Sequence, residues 1–205
     1  MTDGACNPAL ITVARGAMTE SGHRGAIAIC DADGALAETV GDVDRPVFPR
    51  SAIKALQAIP LVATGAADAA GYSHCDIALA CASHSGAAEH ARTADGILGR
   101  VGLTDAALAC GAHWPLGETE NRDLARHNDE PRRVHNNCSG KHAGMLALAH
   151  HLNAPTAGYV HADHPVQRAI LDVLARYSGE PLQDRHPATD GCGAPNWPIT
   201  LTGLA

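Results

Sequence analysis

Aromatic residues are nearly missing from this sequence: they make up 3% of its 205 residues, with a single Phe. That scarcity removes the stacking platforms a single-strand nucleic-acid binder needs. It also obliges any core to be built from Ala, Leu, Ile and Val. No apolar run is long enough to span a bilayer. Residues Met1 to Pro8 carry neither the basic start nor the apolar stretch of an export signal. Positive charge is short as well, 15 Lys and Arg against 22 Asp and Glu, for a net charge of −7. An acidic chain repels phosphate backbones, so neither nucleic acid nor a membrane is an expected partner. No CxxC occurs among the seven cysteines, at 6, 30, 75, 81, 110, 138 and 192, and no HxxxH among the 13 histidines. The standard zinc-ligand spacings are therefore absent. An odd number of cysteines without CxxC fits free thiols in a reducing cytoplasm, which sets the expected location. No repeat or low-complexity segment interrupts the chain.

Hydrophobic residues make up 45% of the sequence. Together with the length, this predicts a single domain over 1–205 with a real core. The β-branched segment Leu10–Arg15 predicts a strand. Gly25–Cys30 and Ala35–Val40, either side of the turn signal Asp31–Gly34, predict two more, giving an antiparallel meander. Gly41–Arg50, with Pro46 and Pro49, predicts a loop. Helical spacing begins at Ser51 and runs to Ile59. Pro60 disturbs it, with a second helical piece over Pro60–Thr64. The apolar run Ile77–Ala82 reads as a buried strand and Ala87–Arg100 as a helix with a small-residue face. Gly117–Arg133 reads as a polar loop or lid, with one helical turn near Glu120–Ala125. A helix is expected from Cys138–His142 through Leu152, and another over Pro165–Arg176 with Asp163 as its N-cap. Asp190–Pro195 is a glycine-rich loop, and Ile199–Ala205 opens a short helix.

Three places carry chemistry. In Ser51-Ala-Ile-Lys54 the two reactive side chains lie one helical turn apart, so the Lys54 amine can reach the Ser51 hydroxyl. A desolvated lysine loses its proton more readily and serves as general base. An SxxK spacing alone is also what an N-cap serine and a surface lysine produce. In Ser83-His84-Ser85-Gly86 a polar turn follows an apolar run, a common address for substrate-facing hydroxyls. Either serine could instead cap the next helix. Cys138 and Lys141 share a face, and Cys192 lies between two glycines that let the backbone fold closely around it. Soft thiolates suit zinc, although buried inert thiols are the plainer reading. Arg50 could bind a carboxylate bidentately and Asp190 an ammonium group, as a small zwitterionic substrate requires. Without further context, a solvated arginine and a turn-forming aspartate are the plainer readings.

Taken in order, the stretches RSAIKALQAIP, CASHSGAAEH, HNNCSGKHAGML, DHPVQ and DGCGAPNW resemble the rhizobial-type L-asparaginases, the asparaginase II family. The resemblance implies a serine-β-lactamase-like α/β fold (an α+β sandwich), with N-terminal antiparallel strands followed by helices, and a homodimer. It implies hydrolysis of L-asparagine to L-aspartate and ammonia through a Ser–Lys pair. By likeness, Ser51 and Lys54 form that pair and Ser83 is a second catalytic serine. Cys138, Lys141 and Cys192 surround a zinc site, and Arg50 and Asp190 take substrate-side positions. Lysine can bind a metal only as the neutral amine, since an ammonium has no lone pair. The family continues beyond the position of Ala205, so the resemblance also implies a chain incomplete at its C-terminus. The lysine that partners the second serine, and a further cysteine near the metal, belong to that continuation.

Two rivals stand beside this expectation. A truncated family member could be an inactive binding or dimer-forming remnant. A β-lactamase or peptidase would also use SxxK, yet no S-D-N or K-T-G element occurs in the chain.

Overall fold

The computed structural model describes residues 7–127 and 129–205. Four strands come first: β1 (Ala9–Arg15), β2 (Met18–Arg24), β3 (Ile27–Cys30) and β4 (Leu36–Val40). β1 pairs antiparallel with β2, and β3 with β4. Among the described residues no ladder joins the two hairpins. The expected three-stranded meander is thus two separate hairpins, and β2 is the strand that sequence reading missed. Its sequence, MTESGHR, shows no apolar alternation, and every residue in it is exposed. With neither face buried, no period-2 signal exists to read. Gly16, at φ 62°, allows the chain to reverse between Arg15 and Met18.

Helices α1 (Lys54–Ala63), α2 (Ala66–Ala69), α3 (His74–Ala80), α4 (Ala88–Arg100), α5 (Glu118–Arg126), α6 (Ser139–His151) and α7 (Pro165–Ser178) follow. A short ladder of β5 (Ala188–Thr189) with β6 (Pro195–Asn196) precedes α8 (Leu201–Leu204). Four expectations change here. α1 runs through Pro60 without a break, and the buried proline ring forms part of its packed face. Ile77–Ala82 is not a strand. Ser73 and Asp76 form a reciprocal cap, with the Ser73 amide 2.7 Å from Asp76 Oδ2, and this cap starts α3. α5 is a helix of nine residues rather than a single turn. The cap of α7 is His164, whose Nδ1 accepts from the Val166 amide, and not Asp163.

α6 is buried from Ser139 to Ala149. A helix enclosed on all sides needs no amphipathic stripe, because neighbours cover every face. α1, α3, α4 and α7 surround it. Its glycines permit the close approach. A methyl group at Gly140 would stand 2.5 Å from the Leu79 carbonyl oxygen, and one at Gly144 would touch Leu61 and Ala80. The core is aliphatic, as the composition requires, apart from Tyr159 and Trp197. An antiparallel bridge between Val47 and Ile199 ties the loop before α1 to the segment that follows the glycine-rich loop. The two N-terminal hairpins stand largely in solvent, with Ile11, Met18 and Ile29 exposed. Among the described residues no helix is long and apolar enough to cross a membrane.

Candidate active site

The segment Arg50–Ile53 forms a tight 3-10 turn that leads directly into α1. Ser51 sits in this turn on the surface, while Lys54, the first residue of α1, is 1% exposed. The amine of Lys54 is spoken for on three sides. It donates to the Ala82 carbonyl (2.9 Å), the Asn137 carbonyl (3.3 Å) and Ser83 Oγ (2.7 Å). Those carbonyls belong to neighbouring loops, which are also joined by the His84 amide donating to the Asn137 carbonyl. The lysine therefore ties α1 to the loop after α3 and the loop before α6. Burial lowers the pKa of Lys54 below the usual lysine range, partly opposed by the nearby Cys138.

Ser83 Oγ stands 3.0 Å from Ser51 Oγ. The contact expected between Lys54 and Ser51 is thus made through Ser83, which lies between amine and hydroxyl. The reason is local geometry. Ser51 lies within the 3-10 turn, whereas Lys54 opens α1. The loop after α3, which carries Ser83, is held from below. His84 is buried, its Nδ1 accepts from the Gly86 amide, and its Nε2 lies 2.9 Å from Ser139 Oγ. Since Ser139 Oγ donates to the Val134 carbonyl, the His84 ring is neutral with its proton on Nε2. Burial pushes its pKa down to about 4. On the outer side, Ser85 Oγ donates to Glu120 of α5. Ser83, His84, Ser85 and Glu89 also line a cavity of about 610 Å³.

A second cluster lies beneath the serines. Cys138 and Lys141, at the start of α6, are buried together with Cys192 of the glycine-rich loop. Lys141 Nζ is 3.2 Å from Cys192 Sγ. The two lysines of this cluster and its neighbour, Lys54 and Lys141, are the only lysines in the sequence. The two thiols act on each other, raising the pKa of Cys138 and lowering that of Cys192. His142 and Lys141 reinforce the lowering at Cys192. Two sulfurs and one amine meeting in a buried pocket fit zinc in donor type. Among the described residues no group of three His, Cys, Asp or Glu side chains is placed to hold a metal ion.

Arg50 and Asp190 meet each other. Arg50 Nε and Nη2 both lie 3.1 Å from Asp190 Oδ1. Arg50 is exposed and Asp190 is mostly covered, and both line a cavity of about 190 Å³ with Phe48, Thr189 and Asn196. Arg50 adopts φ 50°, a left-handed conformation unusual outside glycine. Asp190 Oδ2 lies 3.9 Å from Cys192 Sγ, which joins this pair to the sulfur cluster. The contacts gather the predicted site residues into two sets, Lys54–Ser83–Ser51 and Arg50–Asp190–Cys192–Lys141, joined in sequence at Arg50–Ser51, with Cys138 one turn before Lys141. Sequence reading missed the backbone of Ala82 and Asn137, the pair His142–Tyr159, and Asn136. The last bridges the Gly111 carbonyl (2.7 Å) and the Cys138 amide (2.9 Å). None of these has a spacing that announces it, apart from the Asn136-Asn137 pair directly before Cys138.

Over residues 11–205 the chain matches the L-asparaginase II family. No significant match was found among curated proteins.

Proposed function

The chain belongs to the L-asparaginase II family, and on that premise we propose that it hydrolyses L-asparagine to L-aspartate and ammonia with Ser51 as nucleophile. The observation that carries the reading is the unbroken line from Lys54 Nζ through Ser83 Oγ (2.7 Å) to Ser51 Oγ (3.0 Å). Lys54, as the neutral amine, takes the Ser83 proton while Ser83 takes that of Ser51. Ser51 Oγ attacks the side-chain carboxamide carbon. The carbon–nitrogen bond breaks, and the proton returns through Ser83 to the nitrogen, which leaves as ammonia. Water then opens the aspartyl ester by the same relay and frees Ser51. Arg50 receives the α-carboxylate and Asp190 the α-ammonium, exchanging their mutual ion pair for the two charges of the substrate.

Zinc is part of the proposal. Cys138 and Cys192 as thiolates, with Lys141 as a neutral amine, would hold it. When bound, the metal would supply a fixed positive charge. The same reading includes a serine-β-lactamase-like arrangement, a cytoplasmic location and a homodimer, the last checked by sedimentation.

The test is Ser51→Ala. Ammonia release from L-asparagine is expected to vanish while the far-UV spectrum is unchanged. Undiminished release by the folded variant defeats the scheme. An unaltered chain that binds L-asparagine without turnover would instead be a binding remnant.

A further inference from the structure

The Lys54 amine is a tetrahedral nitrogen with the Ala82 carbonyl (2.9 Å), the Asn137 carbonyl (3.3 Å) and Ser83 Oγ (2.7 Å) around it. A carbonyl oxygen only accepts, so two directions of the amine are committed to N–H donation. The direction that remains faces Ser83. This holds for amine and ammonium alike, because the nitrogen cannot turn about its last carbon without losing one of those two bonds. The carbonyls therefore aim the base, and whatever holds them governs the proton relay.

The Asn137 carbonyl is held from the segment Leu108–Trp114. Side chains tie that segment to 133–138. Arg133 Nη1 donates to the Leu108 carbonyl and Asn136 Nδ2 to the Gly111 carbonyl (2.7 Å). The Asn137 amide donates to His113 Nε2 (3.3 Å), so His113 grips Asn137 itself. The other ring nitrogen, Nδ1, lies 2.7 Å from the Trp114 carbonyl. That carbonyl needs a donor, which places the proton on Nδ1 and leaves Nε2 the lone pair that the Asn137 amide requires. Asn137 Oδ1 also stands 3.3 Å from Nε2, and turning the carboxamide over presents its NH2 edge to that lone pair. A proton on Nε2 alone would leave the Trp114 carbonyl facing a lone pair and the Asn137 amide facing another N–H.

We infer that His113 is a positioning residue for Lys54: it grips the Asn137 backbone, keeps the Asn137 carbonyl on the amine, and so holds the amine's free direction on Ser83. It acts through Asn137 and not on the substrate. The inference rests on the reading of Lys54 as the base. His113 lies outside the five stretches that carry the family resemblance, so the resemblance does not name it.

Two measurements on the full chain test this. With L-asparagine as substrate, kcat of His113→Phe should fall about 10–100-fold, the scale on which a misplacement of about 1 Å slows a reaction. KM should stay within about twofold, since the lost interaction serves the chemical step. His113→Gln, whose Oε1 can accept from the Asn137 amide, should recover most of kcat. In ¹⁵N-labelled protein the His113 ring, identified by loss of its signals in His113→Gln, should be neutral with the proton on Nδ1. An unchanged kcat in a folded His113→Phe variant, a rise in KM with kcat intact, or a proton on Nε2 alone overturns the inference. Should His113→Phe fail to fold, or the unaltered chain show no turnover, the tautomer in the unaltered protein decides alone. Ammonia release that survives Ser51→Ala defeats the Ser51 scheme without touching either readout, so the two failures are separate results.

Discussion

Lys54 and Ser83 differ in what each holds besides a proton. The Lys54 amine satisfies two buried carbonyls, those of Ala82 and Asn137, as well as the serine. Removing it strands both acceptors, at about 1–3 kcal/mol for each group left unpaired. Lys54→Met is therefore expected to lose ammonia release and also to unfold at lower urea concentration. Ser83 is exposed and its hydroxyl serves only the line between Lys54 and Ser51. Ser83→Ala should keep its urea midpoint while kcat falls about 10²–10⁴-fold, the usual worth of a positioned proton carrier. Equal losses of stability in the two variants would contradict this division. The identities of these residues were legible in the sequence, as was their common address. Their order was not. One helical turn suggested a direct Ser51–Lys54 contact, but the turn holding Ser51 is 3-10 and a distant loop inserts Ser83 between them.

At the scale of the element, α6 packs tightly beneath the loop that carries Ser83. Its residues from Ser139 to Ala149 are enclosed, and Gly140 lies against the backbone of Leu79. The added methyl of Gly140→Ala would meet the Leu79 carbonyl oxygen at 2.5 Å, a backbone atom that no rotamer change can move aside. Overpacking of this kind costs about 1–3 kcal/mol. The expected outcome is a lower unfolding midpoint, together with weaker activity because α3 carries the Ser83 loop. A variant as stable as the parent would show that α3 shifts freely. α3 itself teaches the limit of pattern reading. Ile77–Ala82 is uniformly apolar, and such a run carries no period to separate strand from helix. The deciding signal was upstream, in Ser73 and Asp76, whose reciprocal cap starts a helix. α4 and α7 were legible from their apolar spacing, and α7 also from Pro165 in its first turn and Gly179 just past its end. β2 was not, because neither of its faces is buried.

Across the whole molecule, order is unevenly distributed. Every residue of β1 and β2 is exposed, and the two strands pair only with each other among the described residues. Few buried contacts protect their amides, so hydrogen exchange there should be much faster than in α6. Equal protection in solution would mean that something further covers the hairpin. Acid sensitivity is also a property of the whole. His84 and His135 both have pKa values lowered chiefly by burial, His84 from 6.5 to about 4. A lowered histidine pKa means that the unfolded chain binds more protons between those values, so folding weakens as pH falls. Stability measured in urea should hold above about pH 6.5 and decline toward pH 4. The decline should be shallower in His84→Gln.

The sequence by itself determined which reactive side chains this protein carries. Scarce aromatics dictated an aliphatic core. The serine, lysine and cysteine positions named the groups that meet. Tertiary structure alone decided how they connect. Ser83 reaches Ser51, Cys192 reaches Lys141, and Arg50 turns to Asp190 across sequence separations that no local pattern encodes. Identity of a side chain is local information, whereas a contact is set by the packing of distant segments. Burial, which moves the proton affinities of Lys54, His84 and Cys138, exists only once that packing is complete.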